Sequence, residues 1–454
     1  MIFDFFSAKH KRSLSPTKII AITFAVIILT GALLLTLPAA SRDGISCGFR
    51  PALFTATSAT CVTGLVLYDT WTQWSGFGQI VIISLIEIGG LGFMSAASVF
   101  VFFLRRKVGL KQRMLMAQAL SLNDMEGVVR LQKVVLTGSL TIEAVGAGIL
   151  TLRFWPEYGF VKALRWGVFH SISAFCNAGF DIFGCITPGA SLMEFQSDPL
   201  VLLTLGALVV VGGLGFFVWE EIAQKRRFRD FSVYTKLVLL TTGALLLLGT
   251  VMTCILEWNN PATLGPMSVG DKLLNGLFQS ITLRTAGFTA IDQGALTEGG
   301  KAFSMVLMLI GGSSGSTAGG LKTVSMIVLI LFLAARARGR STVSVFKRTI
   351  PNDKVLDAMT IAGIMIALAV FGGIFICATS PVDFADAMYE SVSALATVGL
   401  TAGVTTGLSI PAQILIMIYM YFGRVGILTI SLGFLIGDKA DDRFQYAHTN
   451  LLIG

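Results

Sequence analysis

The chain has 454 residues, of which 54% are hydrophobic and 13% are charged, and its formal net charge is +8. An ordinary soluble domain carries about 25% charged residues, so this composition excludes a typical water-soluble protein. Long uncharged runs, each at least as long as the roughly 20 residues that cross a bilayer as a helix, indicate a polytopic membrane protein. These runs cover residues 19–40, 199–219, 237–256, 302–321, 358–382 and 391–423.

The residue types that carry most enzyme and metal chemistry form no local motif. The sequence has no Cys-x-x-Cys pair and no spacing typical of a metal site, and its three histidines lie far apart. We therefore interpret the cysteines as packing residues, and we expect neither an enzyme active site nor a covalent cofactor. The six cysteines are Cys47, Cys61, Cys176, Cys185, Cys254 and Cys377.

The first part of the chain combines a spanning helix with a shorter apolar stretch. Four basic residues precede or open the first apolar run, which indicates a cytoplasmic N-terminus over residues 1–17 and a helix over 18–37. The next apolar stretch, 49–60, has only about twelve residues and is too short to span a bilayer, so we predict a re-entrant half-helix. A loop at 61–64 and a long helix over 77–104 follow.

The same order of helix, half-helix, loop and helix occurs four times along the chain. Each loop follows small and polar residues and contains one glycine, and the four glycines are 115, 108 and 112 residues apart. We therefore predict an all-α polytopic membrane protein in which four pseudo-repeats, with eight spans in total, surround one central pore. The predicted repeats are 18–110, 111–230, 231–345 and 346–437, before a cytoplasmic C-terminus at 438–454. The later long helices are predicted over 134–152, 200–219, 237–256, 302–335, 355–379 and 411–436, and the later half-helices over 164–175, 272–283 and 384–396.

The distribution of basic residues predicts the orientation of these repeats. If every repeat begins and ends in the cytoplasm, 24 of the 34 Lys and Arg residues lie inside, eight lie outside and two lie within spans. This bias predicts that both termini are cytoplasmic and that all four loops are in the outer half of the membrane. It also accounts for the positive net charge, so we expect no nucleic-acid partner.

The four loops have the properties of a cation filter. Their backbone carbonyls cannot be satisfied by lipid, so they must pack in protein or line a water-filled path. Four loops around one axis would present stacked carbonyl rings, which replace the hydration shell of potassium. Glycine permits the backbone angles that this arrangement needs. The predicted ion-binding residues are Cys61, Val62, Thr63, Gly64, Cys176, Asn177, Ala178, Gly179, Thr285, Ala286, Gly287, Thr397, Val398 and Gly399.

These motifs resemble the Trk/Ktr/HKT superfamily of potassium transporters over essentially the whole chain. The triplet at 397–399, Thr-Val-Gly, is similar to the start of the potassium-channel TVGYG signature. Glycine in all four loops and the absence of two extra N-terminal helices resemble the KtrB-type membrane subunits of bacterial Ktr systems. The resemblance implies a homodimer with one pore per protomer, sodium-stimulated potassium uptake, and opening by a cytosolic ring of nucleotide-binding KtrA-like subunits.

A run of Gly, Ser and Thr interrupts the apolar sequence of the third repeat at 311–323. Such a run does not sustain a regular helix, so we predict a broken helix below the filter; a tightly packed helix interface is the alternative. The resemblance implies that this segment is an intramembrane gate. The predicted gate residues are Gly311, Gly312, Ser313, Ser314, Gly315, Ser316, Thr317, Gly319, Gly320, Lys322 and Arg424.

Arg424 lies within an otherwise uncharged run, where an ionisable residue is costly unless it faces the protein interior. By resemblance it would cap carbonyls of the gate and repel cations in the closed state. The alternative is a structural ion pair with Glu87 or Glu143.

Several other charged residues lie near the loops. We expect Arg284 to point away from the pore and to pair with a carboxylate such as Glu390. Asp69, Asp181 and Asp292 follow their glycines and would form an acidic outer vestibule, or would be exposed loop residues without a role.

Two further functions are compatible with a polytopic membrane protein. One is a TrkH-like, proton-linked or sodium-permeable transporter of the same superfamily. The other is an alternating-access transporter for a small solute, although that class favours inverted repeats, whereas the repeats here all start inside.

Overall fold

The structure is a computed structural model that describes residues 16–92 and 128–426. The predictions made for residues 1–15, 93–127 and 427–454 lie outside these described residues. The helices are α1 (Pro16–Thr36), α2 (Phe49–Thr60), α3 (Thr70–Gln73), α4 (Gly76–Leu91), α5 (Val128–Tyr158), α6 (Phe160–Phe175), α7 (Pro199–Leu214), α8 (Phe216–Gln224), α9 (Val233–Glu257), α10 (Val269–Thr282), α11 (Glu298–Leu309), α12 (Thr323–Ala337), α13 (Asn352–Thr379), α14 (Phe384–Leu395) and α15 (Ile410–Val425).

Four of the helices are long and apolar enough to cross a membrane by themselves. They are α1, α5, α9 and α13, and the bent pair α7–α8 passes the same length and composition test when it is taken together. Helices α4, α12 and α15 are apolar but shorter. The helical architecture and the apolar surfaces fit a polytopic membrane protein.

Each of the four short helices, α2, α6, α10 and α14, packs in the same way. Each contacts the long helix that precedes it in the chain, which is α1, α5, α9 or α13. Each also contacts the helix that follows the previous loop in cyclic order: α15 packs on α2, α4 on α6, α7 on α10 and α11 on α14. Because the last of these contacts joins the end of the chain to its beginning, the packing closes into a ring.

Side-chain caps set the starting points of the four helices that follow the loops. Ser75 accepts a hydrogen bond from the Gly78 backbone, and Thr297 accepts one from the Gly300 backbone. Asp198 accepts two backbone hydrogen bonds before Pro199. Ser409 caps α15 in the same way. Each cap satisfies backbone donors that the first helical turn leaves free, so these helices have defined starts beside the loops.

Three helices that the sequence predicted as continuous are interrupted at a glycine. Helix α4 ends at Leu91 and α15 ends at Val425, while the rest of the two predicted helices, 93–104 and 427–436, lies outside the described residues. The helix predicted over 200–219 is also wrong as a single rod, because α7 and α8 meet at an angle of 93°. The physical reason is a left-handed residue at each end, with φ of 83° at Gly92, 93° at Gly215 and 97° at Gly426. A residue in this conformation ends a right-handed helix.

A small hairpin that the sequence analysis did not predict follows α12. Strands β1 (Val343–Val345) and β2 (Arg348–Ile350) pair antiparallel, with Val343 opposite Ile350. Phe346 and Lys347 form the two-residue turn and both have positive φ, which is the geometry of a tight hairpin.

Aromatic packing stabilises α6 and the chain that follows it. Trp166 contacts Phe154 and Phe183 edge-on, and the His170 ring stacks on Phe183 at 3.8 Å between centroids. His170 Nδ1 donates to the Trp166 carbonyl, which leaves Nε2 to accept from the Ile182 backbone at 3.1 Å. The histidine therefore fixes the chain just after the second loop.

We predict that the buried ion pair between α11 and α14 contributes to stability. Lys301 Nζ lies 2.7 Å from Asp386 Oδ1, and the lysine is 7% exposed. Lys301→Met should lower the free energy of unfolding by about 3 kcal/mol, because it leaves a half-buried carboxylate unpaired. Denaturation in detergent, followed by tryptophan fluorescence, measures the change.

The matched control is Lys354→Met, which removes an exposed pair with Asp357 and should change stability by less than about 1 kcal/mol. The double variant Lys301→Met/Asp386→Leu should recover most of the loss. Equal stability of the Lys301→Met variant and the unmodified chain would contradict a stabilising role for this pair.

Candidate ion-binding site

The four loops that follow the short helices meet around one axis. The glycine of each loop lies against a main-chain carbonyl of the next loop in cyclic order. In three of the four pairs, a Cβ added to the glycine would lie 2.6 or 2.7 Å from that oxygen, and in the fourth the collision would be closer still. The loops are therefore too close for any side chain at these positions. The carbonyl and glycine neighbours are Ala178 with Gly64, Ala286 with Gly179, Val398 with Gly287 and Thr63 with Gly399.

All four loops also share an alternation of backbone handedness that the sequence analysis missed. The residue two before each glycine has a positive φ although it carries a side chain, and the glycine itself is again positive. Such non-glycine residues cost about 1 kcal/mol or more each, and they persist only where the surroundings hold them. Alternating handedness turns successive carbonyls toward the same side of the chain. The φ values are 55° for Val62, 59° for Asn177, 66° for Thr285, 53° for Thr397, 102° for Gly64, 67° for Gly179, 82° for Gly287 and 91° for Gly399.

A hydroxyl at the end of each short helix holds its loop in this conformation. Ser58 accepts from the Gly64 backbone and Ser393 accepts from the Gly399 backbone, both at 3.1 Å. In the other two loops the hydroxyl donates: Ser173 to the Phe180 carbonyl at 2.6 Å, and Thr282 to the Phe288 carbonyl at 2.7 Å. A recurring hydroxyl before each glycine was visible in the sequence, but its role as a loop anchor was not.

The third loop is built differently from the other three. Ser280, which the repeat motif aligned with Ser58, Ser173 and Ser393, instead donates to the Leu246 carbonyl of α9. Thr282 takes the anchoring role. Helix α10 ends five residues before its glycine, whereas the other three short helices end four residues before theirs, so this loop is one residue longer.

The expected pairing of Arg284 with Glu390 is wrong. Glu390 accepts hydrogen bonds from the hydroxyls of Thr401 and Thr405, which satisfy its carboxylate. Arg284 is 7% exposed and its Nη2 lies 3.4 Å from the Gly311 carbonyl. The arginine therefore contacts the segment below the third loop instead of a carboxylate behind it.

Residues 310–322 are not helical and pass directly beneath the loops. The Ser313 backbone donates to the Gly213 carbonyl at 3.0 Å, and Gly315 accepts from the Phe216 backbone at 2.8 Å. Tyr234 of α9 donates its hydroxyl proton to the Ser314 carbonyl at 2.9 Å. These bonds fasten the segment to both sides of the bend between α7 and α8.

The same segment also contacts two loops from below. Thr317 Oγ1 donates to the Phe175 carbonyl at 3.1 Å and lies 3.0 Å from the Asn177 amide. A Cβ on Gly319 would collide with Thr397 Oγ1. The predicted residues of this segment, Gly311, Gly312, Ser313, Ser314, Gly315, Ser316, Thr317, Gly319, Gly320 and Lys322, thus lie together below the carbonyl ring.

Two half-buried cationic side chains donate hydrogen bonds to this segment. Arg424 donates to the carbonyls of Thr317 and Gly89, and to Gly90 at 2.8 Å. Lys322 Nζ donates to Ala318 at 2.7 Å. Among the described residues, no carboxylate pairs with Arg424, so the alternative of an ion pair with Glu87 or Glu143 is wrong. Backbone carbonyl oxygens accept the hydrogen bonds of its guanidinium instead.

The outer aspartates have structural partners. Asp69 caps α3 through the backbone groups of Trp71 and Thr72. Its second oxygen accepts from Gly189. Asp181 accepts from Phe183, and burial, reinforced by the nearby Asp69 carboxylate, raises the pKa of Asp181 to about 6. These bonds place two carboxylates together beside the second loop.

Asp292 differs from this pair, since it is exposed and accepts from the Gly294 backbone. It forms a local turn of its own.

Comparison with known proteins identifies the family. A family model described as a TrkH cation transport protein matches residues 6–446. The chain is 40% identical to Ktr system potassium uptake protein B of Bacillus subtilis over 95% of both chains. It is 38% identical to the potassium/sodium uptake protein NtpJ of Enterococcus hirae over 98% of both chains.

A solved structure has the same fold. The potassium transporter TrkH of Vibrio parahaemolyticus aligns with a TM-score of 0.71 at 18% identity, covering 94% of this chain and 86% of that one. The family match and the relatives confirm the resemblance seen in the sequence motifs. The chain belongs to the TrkH family of cation transport proteins and is a multi-pass membrane transport protein.

Proposed function

We propose that this chain is the pore-forming membrane subunit of a potassium uptake system. The observation that carries the proposal is the closed ring in which each loop glycine lies against a carbonyl of the next loop. The names of the relatives support potassium as the substrate, since two of them are potassium uptake proteins.

The chemistry of the ring suits a weakly hydrated monovalent cation. Carbonyl oxygens offer partial negative charge without a full charge that would hold the ion too tightly to leave. The C-terminal ends of α2, α6, α10 and α14 all face the loops, and their partly negative ends favour a cation there. The predicted filter residues would supply the carbonyls.

The proposed topology has four repeats and eight spans, with both termini in the cytoplasm. It is supported by the excess of basic residues in the segments assigned to the inside and by the cyclic packing of the short helices. In this orientation the loops lie in the outer half of the membrane, and residues 310–322 lie below them, toward the cytoplasm.

Residues 310–322, together with Arg424, are proposed to form the gate. The segment lies across the axis directly under the ring, and two cationic side chains end on its carbonyls. Positive charge below a cation filter opposes permeation by Coulomb repulsion in a low-dielectric region. Opening requires the segment to leave this position, which breaks the hydrogen bond that Arg424 donates to the Thr317 carbonyl.

Partners and activation are proposed from the family alone. The Ktr system names of the relatives support assembly with other subunits. We propose a homodimer, a KtrA-like cytosolic ring that moves the gate, and stimulation by sodium. Basic clusters at 225–229 and 336–348 would lie on the cytoplasmic face, where anionic lipid or an acidic partner surface would bind them.

The direct test is rubidium uptake by a bacterial strain that lacks its own potassium uptake systems. Expression of the chain with its regulatory partner should restore uptake, and excess potassium should compete with rubidium more strongly than excess sodium. Equal competition by sodium would favour the sodium-permeable alternative, which the name of the Enterococcus hirae relative supports. Absence of uptake from cells that contain folded protein in the membrane would contradict the proposal.

Gly399→Ala should reduce potassium flux roughly tenfold or more, because about 1.4 kcal/mol added to the barrier is a factor of ten. The new Cβ would collide with the Thr63 carbonyl, and φ at this position is 91°. Flux into proteoliposomes measures the effect. Gly407→Ala is the control, since a Cβ there meets nothing within 4 Å. Normal flux through Gly399→Ala would contradict the proposal that this loop forms part of the ion filter.

Arg424→Ala should raise potassium flux through the chain reconstituted without a regulatory partner. The change removes the guanidinium that holds Thr317 and the positive charge below the ring. Arg424→Lys keeps the charge but cannot bridge the same carbonyls. Its potassium flux should therefore be intermediate between that of Arg424→Ala and that of the unmodified chain. Lys354→Ala, an exposed cation of α13 outside the basic clusters, is the control and should have no effect. Unchanged or lower flux in well-folded Arg424→Ala would count against the gate role.

Lowering the external pH from about 7.5 to 5 should reduce flux about twofold, because Asp181, with a pKa near 6, becomes neutral and the negative charge that attracts cations falls. Asp181→Asn should have the lower flux at both pH values, so its flux should not change between them. Asp292→Asn should keep the twofold fall in flux between the two pH values (the pH step), since Asp181 is intact. A pH step of the same size in Asp181→Asn would show that another group titrates.

A further inference from the structure

Two glutamates and a cysteine meet inside the protein behind the second loop. Glu87 is on α4, Glu143 is on α5, and Cys176 follows the last residue of α6 and precedes Asn177. One ligand atom from each lies within 4.8 Å of the others. Cys176 Sγ is 3.5 Å from Glu87 Oε2. Two helices and the residue that follows a third therefore present two carboxyl groups and a thiol to one point.

One oxygen atom of this cluster lacks a hydrogen-bond partner. Glu143 is 4% exposed, and within the described residues its Oε1 has no hydrogen-bond donor. Two carboxylates this close cannot both remain ionised in a low-dielectric interior without a cation. No Lys or Arg of the described chain forms an ion pair with either glutamate. The nearby Arg424 donates to the Gly89 and Gly90 carbonyls instead.

The donor set indicates which cation fits. Carboxylate oxygen suits many metals, but a thiolate favours borderline and soft ions such as Zn²⁺ and Cd²⁺ over sodium, potassium or magnesium. A tetrahedral zinc ion with bonds of about 2.0 Å to oxygen and 2.3 Å to sulfur would hold those two atoms about 3.5 Å apart. The observed separation of Cys176 Sγ and Glu87 Oε2 is 3.5 Å.

The geometry points to a binding site for one Zn²⁺-class divalent cation formed by Glu87, Glu143 and Cys176. Binding replaces the thiol proton and the proton that the carboxyl pair holds in the absence of metal, so one M²⁺ enters and two H⁺ leave. The net charge of the site stays at −1, opposite the positive charge of Arg424. Glu87 is half-buried and gives the site its access.

A metal ion here would act on the candidate pore. It would tie α4 and α5 to the residue immediately before Asn177, which is one of the left-handed residues of the carbonyl ring. A Cβ on Gly90 would lie 2.5 Å from Cys176 Sγ, so α4 has no room to adjust around the thiol. Bound metal should therefore rigidify the second loop and reduce conduction, and this consequence rests on the proposed function.

The metal site is tested by cadmium titration of the purified full-length chain in detergent. Cys377→Ser is used as the background, because Cys377 is the one exposed cysteine among the six. One Cd²⁺ per chain should bind and give the ultraviolet charge-transfer band of a thiolate–cadmium bond. Cys176→Ser should abolish the band, and Glu143→Gln should weaken binding by more than about tenfold. Isothermal titration with Zn²⁺ should give the same stoichiometry.

Cys254→Ser is the matched control, since Cys254 is buried and lies away from the two glutamates. It should leave the band unchanged. Each variant is checked for its gel-filtration profile, and Cys176→Ala serves as a second removal of the thiol if Cys176→Ser does not fold. No Cd²⁺ binding by the background chain, or a band that persists in a folded Cys176 variant, would overturn the site.

Flux measurements separate this inference from the proposed function. Zn²⁺ should inhibit potassium flux in the Cys377→Ser background and should inhibit it several-fold less in Cys176→Ser. If the chain carries no potassium at all, the proposed function fails while the cadmium titration still decides the metal site. Cadmium binding with no effect of Zn²⁺ on flux would keep the site and overturn its link to the second loop.

Discussion

The structure depends on the closed ring of contacts between short helices and their neighbours. Each of α2, α6, α10 and α14 is clamped between its preceding long helix and the helix that follows the previous loop. That clamping brings four loops to one axis and forces glycine against carbonyl at every junction. In a membrane, carbonyls that no lipid can satisfy must find protein, water or an ion. In the ring, at least one carbonyl of each loop lies against the glycine of a neighbouring loop.

The region below the ring depends on breaks in the helices that follow the loops. Glycines with left-handed backbone end α4, α7 and α15 at Gly92, Gly215 and Gly426, and residues 310–322 separate α11 from α12. The carbonyls and amides released at these breaks are reused by the segment beneath the loops, as in the bond from Ser313 to the Gly213 carbonyl. Arg424 donates to three further carbonyls, those of Gly89, Gly90 and Thr317. The break points and the crossing segment therefore form one hydrogen-bonded layer.

The charged side chains around this layer are stabilised in three ways. Arg424 and Lys322 use backbone carbonyls as partners. Glu390 uses two threonine hydroxyls. Glu87 and Glu143 have each other and the Cys176 thiol, with one carboxylate oxygen unpartnered within the described residues. In the first two arrangements, each of these charged groups has hydrogen-bond partners. In the third, one carboxylate oxygen has none within the described residues, so this cluster is the one that would bind a ligand.

Composition and periodicity alone determined the membrane class, the four short helices and the glycine of each loop, since length, apolarity and spacing are local properties. The bounds of α2 agree with the predicted 49–60, and the break at 311–323 follows from its Gly and Ser content. The ring itself was decided by tertiary structure, because the close approach of Gly64 and Gly399 to neighbouring loops is a contact between repeats that are distant in the chain. The same holds for the partners of Arg284 and Arg424, and for the meeting of Glu87, Glu143 and Cys176, residues up to 89 positions apart. Which side chains share a buried polar site depends on helix packing across the chain, and no local pattern records it.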